Sequence, residues 1–296
     1  MGRGAKPHLA LLFLILLLLL PQASPACTLW SAAGDAAGGG TLLAKNRDYA
    51  PSSKGRLALV RPLEGYAYLG YYGLIKGRER LVAGVNEAGL AMVSAAAGSV
   101  AREERRKPSR AKLLMDMTLT FMRSVDEALE KVDFAGHSPV IYMLSDGAKT
   151  AWVEVGPGGK VTTRATGAGT LAHANHFLHP DLAWANETAG QSSAARLARI
   201  RELLAGGPFS LSDFERFGND RSAGPDNSIM RDGSTPKSTR TLARFLVRTL
   251  PGKPTEALVT GYDDPSAPWT VRLTLDAGFW SQIPIGGEKT LAGERR

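Results

Sequence analysis

The junction Ser24-Pro25-Ala26-Cys27 constrains this chain more than any other stretch, because a hydrophobic leader stops there and the single cysteine follows at once. Residues 9–20 form an unbroken apolar run behind a basic start, Arg3 and Lys6. Ser24 and Ala26 are the small residues at minus 3 and minus 1 that a signal peptidase reads. The run is too short to span a bilayer comfortably, which takes about 20 apolar residues. Residues 1–26 are therefore expected to be a signal peptide, leaving Cys27 as the first residue of an exported, periplasmic or secreted protein. A cysteine with a free α-amine unites nucleophile and base. The thiolate attacks, and the amine, with an ordinary pKa of about 7.7 to 8.0, takes the proton and returns it.

Two other roles compete for Cys27. A cysteine directly after a leader also begins bacterial lipoproteins, which would make this a lipid-anchored periplasmic or surface binding protein; that processing usually wants leucine at minus 3, where Ser24 stands. Free cysteine also packs as a small hydrophobe with no chemistry. An exposed new N-terminus is a poor place for that.

With 296 residues, 44% of them hydrophobic and 22% charged, the chain has the composition of a globular protein and the length for one large domain. One cysteine excludes an internal disulfide, so stability has to come from packing. Loss of Arg3 and Lys6 with the leader leaves 34 basic against 28 acidic residues, a net charge of about +6. Arg102, Arg105, Arg106, Lys107, Arg110 and Lys112 make the one basic cluster, without the interleaved aromatics that single-stranded nucleic acid binding uses. It reads as a solvated loop with a weak pull on anionic substrates or lipid surfaces. Nucleic acid is not an expected partner; a small-molecule amide is, with membrane contact only through the leader or a lipid anchor. A homo-oligomer is compatible with the sequence.

Residues 27–33 and 41–48 read as two strands joined by a glycine-rich reversal, 34–40. A hairpin centred near Ala37 sets position 27 opposite position 47 and delivers Lys45, Asn46, Arg47 and Asp48 to the N-terminal residue; a one-residue slip would exchange the faces. Further strands are expected at 57–62, 66–75, 80–85 and 90–97, the last two around the turn Asn86-Glu87-Ala88-Gly89. Pro108-Ser109 starts a helix carrying Leu113, Leu114, Met117 and Phe121, with Met115, Met117 and Met122 as core filler, and Ser124 with Glu127 caps another. Strands return at 140–145, 150–155 and 160–166.

His173, Asn175, His176 and His179 form a dense polar run, but no acid falls at helical spacing among them, so zinc is disfavoured. Ser192 or Ser193 caps a helix with a buried stripe of Leu197, Ile200, Leu203 and Leu204, and Ser212 with Glu215 caps a shorter one. Strand candidates follow at 227–231, 239–250, 256–260 and 269–275, and 276–296 reads as a surface tail. Sheet, helices and sheet again suggest helices on both outer faces of two packed sheets in one domain, 27–296.

Cys27, Lys45-Asn46-Arg47-Asp48, Asn86-Glu87-Ala88-Gly89-Leu90, His173-Ala174-Asn175-His176-Phe177 and Ser193-Ala194-Ala195-Arg196 occur in an order and spacing that resembles the N-terminal-nucleophile (Ntn) cysteine amidohydrolases. The likeness is to the penicillin acyltransferase and carcinine hydrolase branch, with choloylglycine hydrolase and penicillin V acylase more distant. The resemblance implies an α+β fold, a four-layer αββα sandwich, and hydrolysis or acyl transfer at a linear non-peptide amide, with no cofactor and no metal. It implies Cys27 as nucleophile, Asp48 as the group orienting the α-amine, Asn175 as an oxyanion donor, and Arg196 as the arginine organising the site. Lys45 stands where the bile-acid relatives have arginine, keeping a cation near the sulfur. Ala96 replaces their second oxyanion asparagine, so a second donor would be a backbone N–H. Ser228-Ile229-Met230-Arg231-Asp232 replaces a Cys-Arg-His pattern of the closer branch. Relatives that cut themselves carry a propeptide where this chain has a leader.

Overall fold

The computed structural model describes residues 26–75, 77–107, 113–187 and 190–293. The leader up to Pro25, the expected helix start at Pro108-Ser109 and the basic residues Arg110 and Lys112 lie outside the described residues.

Numbered along the chain, the strands are β1 (Ala26–Ala33), β2 (Thr41–Tyr49), β3 (Gly55–Val60), β4 (Tyr68–Ile75), β5 (Arg78–Asn86), β6 (Ala91–Ala96) and β7 (Val140–Ser145), then β8 (Thr150–Val155), β9 (Val161–Thr166), β10 (Gly169–His173), β11 (Arg240–Thr249), β12 (Thr255–Gly261), β13 (Trp269–Leu275) and β14 (Glu288–Gly293). The helices are α1 (Leu114–Phe121), α2 (Val125–Lys131), α3 (Pro180–Ala183), α4 (Gln191–Leu203), α5 (Leu211–Gly218) and α6 (Ala277–Trp280). Two antiparallel sheets result, a six-stranded one ordered β10-β1-β2-β11-β12-β13 and an eight-stranded one ordered β14-β3-β4-β5-β6-β7-β8-β9.

Both central strands of the smaller sheet are buried on both faces, and alternation sends their side chains to two different layers. Leu29 and Leu43 join Leu57, Leu69, Met143 and Phe245 between the sheets. Trp30 and Leu42 face outward under Leu197, Ile200, Phe214 and Phe217 of α4 and α5. Leu114, Leu119 and Val125 of α1 and α2 cover Met92, Leu144 and Val153 on the far side of the larger sheet. Four layers in the order helix, sheet, sheet, helix follow, as the strand and helix order of the sequence predicts.

Several local expectations differ. Leu113, Met117 and Phe121 are exposed, because α1 turns Leu114, Met115 and Leu119 to the sheet instead, so Met117 is not core filler. Ser124 accepts from the Glu127 backbone N–H, while the Glu127 carboxylate accepts from Arg123 N. Gly190 occupies the start of α4, which frees Ser192 and Ser193 for other bonds, and the capping box of α5 is Ser210 with Asp213 rather than Ser212 with Glu215. Residues 227–231 form no strand. The expected surface tail instead returns to the fold: Phe279, Trp280 and Ile283 enter the core and β14 pairs with β3, because the aromatic pair near its start needs burial.

Candidate active site

The β1–β2 hairpin positions most of the site. A 3-10 turn at Gly34–Ala37 ends on Gly38, whose φ of 66° suits a residue without a Cβ, and the reversal sets Cys27 opposite Arg47. Alternation then sorts the residues by face. Cys27 lies with the residues between the sheets. Lys45 and Arg47 reach the same layer, Lys45 Nζ donating to the Val82 carbonyl at 2.8 Å and Arg47 Nη2 to Ser53 Oγ at 2.8 Å. Thr28, Asn46 and Asp48 point to the helical layer, where Asn46 Nδ2 donates to the carbonyls of Gly218 and Ile229.

Arg196, buried on α4, ties the two faces together. Its Nη1 donates to the Cys27 carbonyl at 2.6 Å and to Thr28 Oγ1 at 2.9 Å, and its Nη2 to Asn175 Oδ1 at 2.9 Å. Asn175 Oδ1 also accepts from the Cys27 backbone nitrogen at 2.9 Å, so two donors fix the orientation of that amide. Asn175 Nδ2 carries two hydrogens and gives one to the Ala96 carbonyl at 2.8 Å. Ala96, which stands where the bile-acid relatives have a second oxyanion asparagine, meets Asn175 with its carbonyl. Ser193 Oγ accepts from Asn175 N and lies 2.8 Å from His176 Nδ1.

Asp48 sits opposite Ala26 with no exposed surface. Its Oδ1 accepts from Thr241 Oγ1 at 2.8 Å; Oδ2 accepts no hydrogen bond among the described residues, and Arg231 Nη1 is 4.0 Å from it. Burial pushes the Asp48 carboxyl up to about 6 against the pull of Arg196 and Arg231. Burial likewise brings the Lys45 ammonium down to about 8, while Cys27 and Asp48 act the other way. Val82 and Ala96, which hold Lys45 and Asn175 by their carbonyls, also line a cleft of about 910 Å³ bordered by Arg80, Arg105 and Arg106. Part of the basic cluster thus edges this cleft instead of standing wholly in solvent.

All five residues singled out in the sequence converge here, three of them by direct hydrogen bonds. Arg231 and Thr241 were missed: Arg231 looked like a departure from a pattern, and nothing in sequence spacing brings Thr241 to Asp48. His173 and His176 are engaged elsewhere, Nε2 of His173 with buried Glu154 at 2.8 Å and Nδ1 of His176 with Ser193.

Two solved structures share this architecture. A variant of conjugated bile acid hydrolase from Clostridium perfringens matches with a TM-score of 0.56 at 16% identity, over 89% of this chain and 96% of that one. Penicillin V acylase from Agrobacterium tumefaciens matches with a TM-score of 0.50 at 16% identity, over 90% and 91%. Both likenesses are of fold. Among curated proteins none matches the sequence. Residues 36–259 match the family described as acyl-coenzyme A:6-aminopenicillanic acid acyl-transferase. With three-quarters of its length matched, and with the layered sandwich of those two structures around the hairpin site, the chain belongs to that acyl-transferase family.

Proposed function

We propose that the chain is an exported cysteine amidohydrolase or acyltransferase for a linear non-peptide amide, in which loss of residues 1–26 makes Cys27 Sγ the nucleophile and its α-amine the general base. The observation that carries this reading is the buried Oδ2 of Asp48 opposite Ala26, which accepts no hydrogen bond among the described residues and has Arg231 Nη1 only at 4.0 Å. A carboxylate oxygen buried without a donor is costly. Cleavage after Ala26 removes the residue paired with Asp48 and creates an ammonium donor at that end of β1. Asp48 then holds the amine from the helical face while Sγ faces the layer between the sheets.

In the reaction, Sγ attacks the amide carbonyl carbon and its proton passes to the α-amine. The free hydrogen of Asn175 Nδ2 stabilises the developing oxyanion, and the α-ammonium protonates the departing amine. Water or an amine acceptor then releases the acyl group from Cys27. Hydrolysis and transfer share the acyl-enzyme and differ in the acceptor. N-terminal sequencing of the purified protein is expected to begin Cys-Thr-Leu-Trp, with activity abolished in Cys27→Ala; a protein that keeps Ala26 and turns over at full rate contradicts the reading.

Asn175→Ala is expected to reduce kcat by about 10²–10³-fold in samples whose circular dichroism matches the parent, since one oxyanion donor acts on the transition state. A lowered melting temperature with an unchanged rate would make Asn175 structural.

Lys45 predicts opposite pH trends for activity and stability. Its folded pKa of about 8 lies below the ordinary 10.5. Between these values the unfolded chain keeps a proton that the folded chain has released, so this group's contribution to stability rises with pH. Its cationic support for the thiolate fades over the same range. Lys45→Arg, which stays charged, is expected to move the alkaline limb of kcat/KM upward by about one pH unit; an unmoved limb removes Lys45 from the titration.

A further inference from the structure

We propose that Arg47, Tyr71 and Trp269 form a subsite for a carboxylate of the substrate, beside Cys27 in the layer between the sheets. The inference rests on Cys27 being the reacting residue. Arg47 is the cross-strand partner of Cys27, and such partners hold their Cβ atoms about 4.5–5.5 Å apart on one face. Arg47 is 3% exposed and forms no ion pair among the described residues. Its Nη2 uses Ser53 Oγ and, at 3.4 Å, the Leu74 carbonyl, and the group lies 5.2 Å from the Tyr49 ring centre. Nη1 is buried and donates to nothing described.

Two more donors share that state, the Tyr71 hydroxyl and Trp269 Nε1, with their rings 6.3 Å apart. Gly55 and Gly73 are cross-strand partners beneath them. A Cβ at Gly55 would fall closer than 3.0 Å to the Tyr71 hydroxyl, and one at Gly73 equally close to the Arg47 guanidinium. A Cβ at Gly261 would strike the Trp269 indole in the same way. Three glycines thus make room for three donors, which a planar anion with several lone pairs satisfies; an ammonium or an alkyl group leaves them unanswered. Trp269 is half-buried. Half-buried Asp263, with Oδ1 unpartnered, is the acid whose charge reaches Tyr71, so it opposes an anion there.

Calorimetry on the Cys27→Ala protein with N-benzoylglycine and N-benzoylglycinamide tests the subsite without turnover. The carboxylate is expected to bind at least tenfold tighter than its neutral amide. Adding Arg47→Met should cut that preference to threefold or less, Tyr71→Phe should lower it by about fivefold, and Asp263→Asn should widen it. The Tyr71 and Asp263 variants keep the test decisive if Arg47→Met does not fold. No preference in the parent, or one that these substitutions leave unchanged, overturns the proposal. Failure of Cys27 as nucleophile would appear separately, as wild-type turnover without an acyl-Cys27 adduct.

Discussion

A chain beginning at Cys27 is expected to turn over amides, whereas the same chain with one glycine retained ahead of Cys27 folds normally and runs at least 10³-fold slower. In the uncut chain the Cys27 nitrogen is a peptide N–H donating to Asn175 Oδ1. Its lone pair is delocalised into the amide, so it takes no proton from sulfur. A positioned general base is worth about 10²–10⁴ in rate, and the two nearby histidines are hydrogen-bonded to Glu154 and Ser193. The retained residue also takes the place of Ala26, paired with Asp48, and carries the chain's free amine one residue away from the sulfur. Because β1 already continues through Ala26 in register, the extension costs little stability. Steady-state rates on both proteins, with intact mass confirming that neither has been trimmed, give the comparison.

Arg196→Met is expected to damage rate and stability together. Arg196 is 1% exposed, and its donors satisfy the Cys27 carbonyl, Thr28 Oγ1 and Asn175 Oδ1. Methionine fills the space but takes a donor from each of those buried acceptors and leaves Arg231, 4.0 Å away, as the cation beside Asp48. Breaking such a buried charged network costs on the order of 3–5 kcal/mol, a fall in melting temperature on the order of 10 °C for a domain of this size. Released from Arg196, the Asn175 amide turns away from the oxyanion, so kcat should fall by more than 10²-fold in the folded fraction. Arg196→Lys, able to reach one acceptor but not three, should fall between the two. Wild-type melting together with a wild-type rate for Arg196→Met would remove Arg196 from the site.

The parts legible in the sequence are those fixed by local pattern. The loop length between positions 33 and 41 set the hairpin register, which in turn placed Lys45, Arg47 and Asp48 around Cys27. Where one periodic stripe was ambiguous, the sequence misled: Leu113, Met117 and Phe121 keep helical spacing as well as Leu114, Met115 and Leu119 do, and only the position of the eight-stranded sheet decides between them. Long-range partners were harder still. Arg231 approaches Asp48 from 183 residues away, and Thr241 joins them because β11 lies beside β2. The C-terminal segment read as a tail because its aromatic pair is isolated in sequence, and its strand becomes visible only once β3 offers a free edge.

The central claim is that Cys27, freed at its amine, carries the acyl group. It is tested most directly by rapid acid quench of the mature enzyme during turnover of an amide, followed by intact and peptide mass spectrometry. The expected result is one acyl group per chain on a peptide that starts at Cys27, formed and lost at rates matching turnover and absent in Cys27→Ala. Turnover with the acyl group on any other residue, or on a peptide still carrying Ala26, would contradict the account.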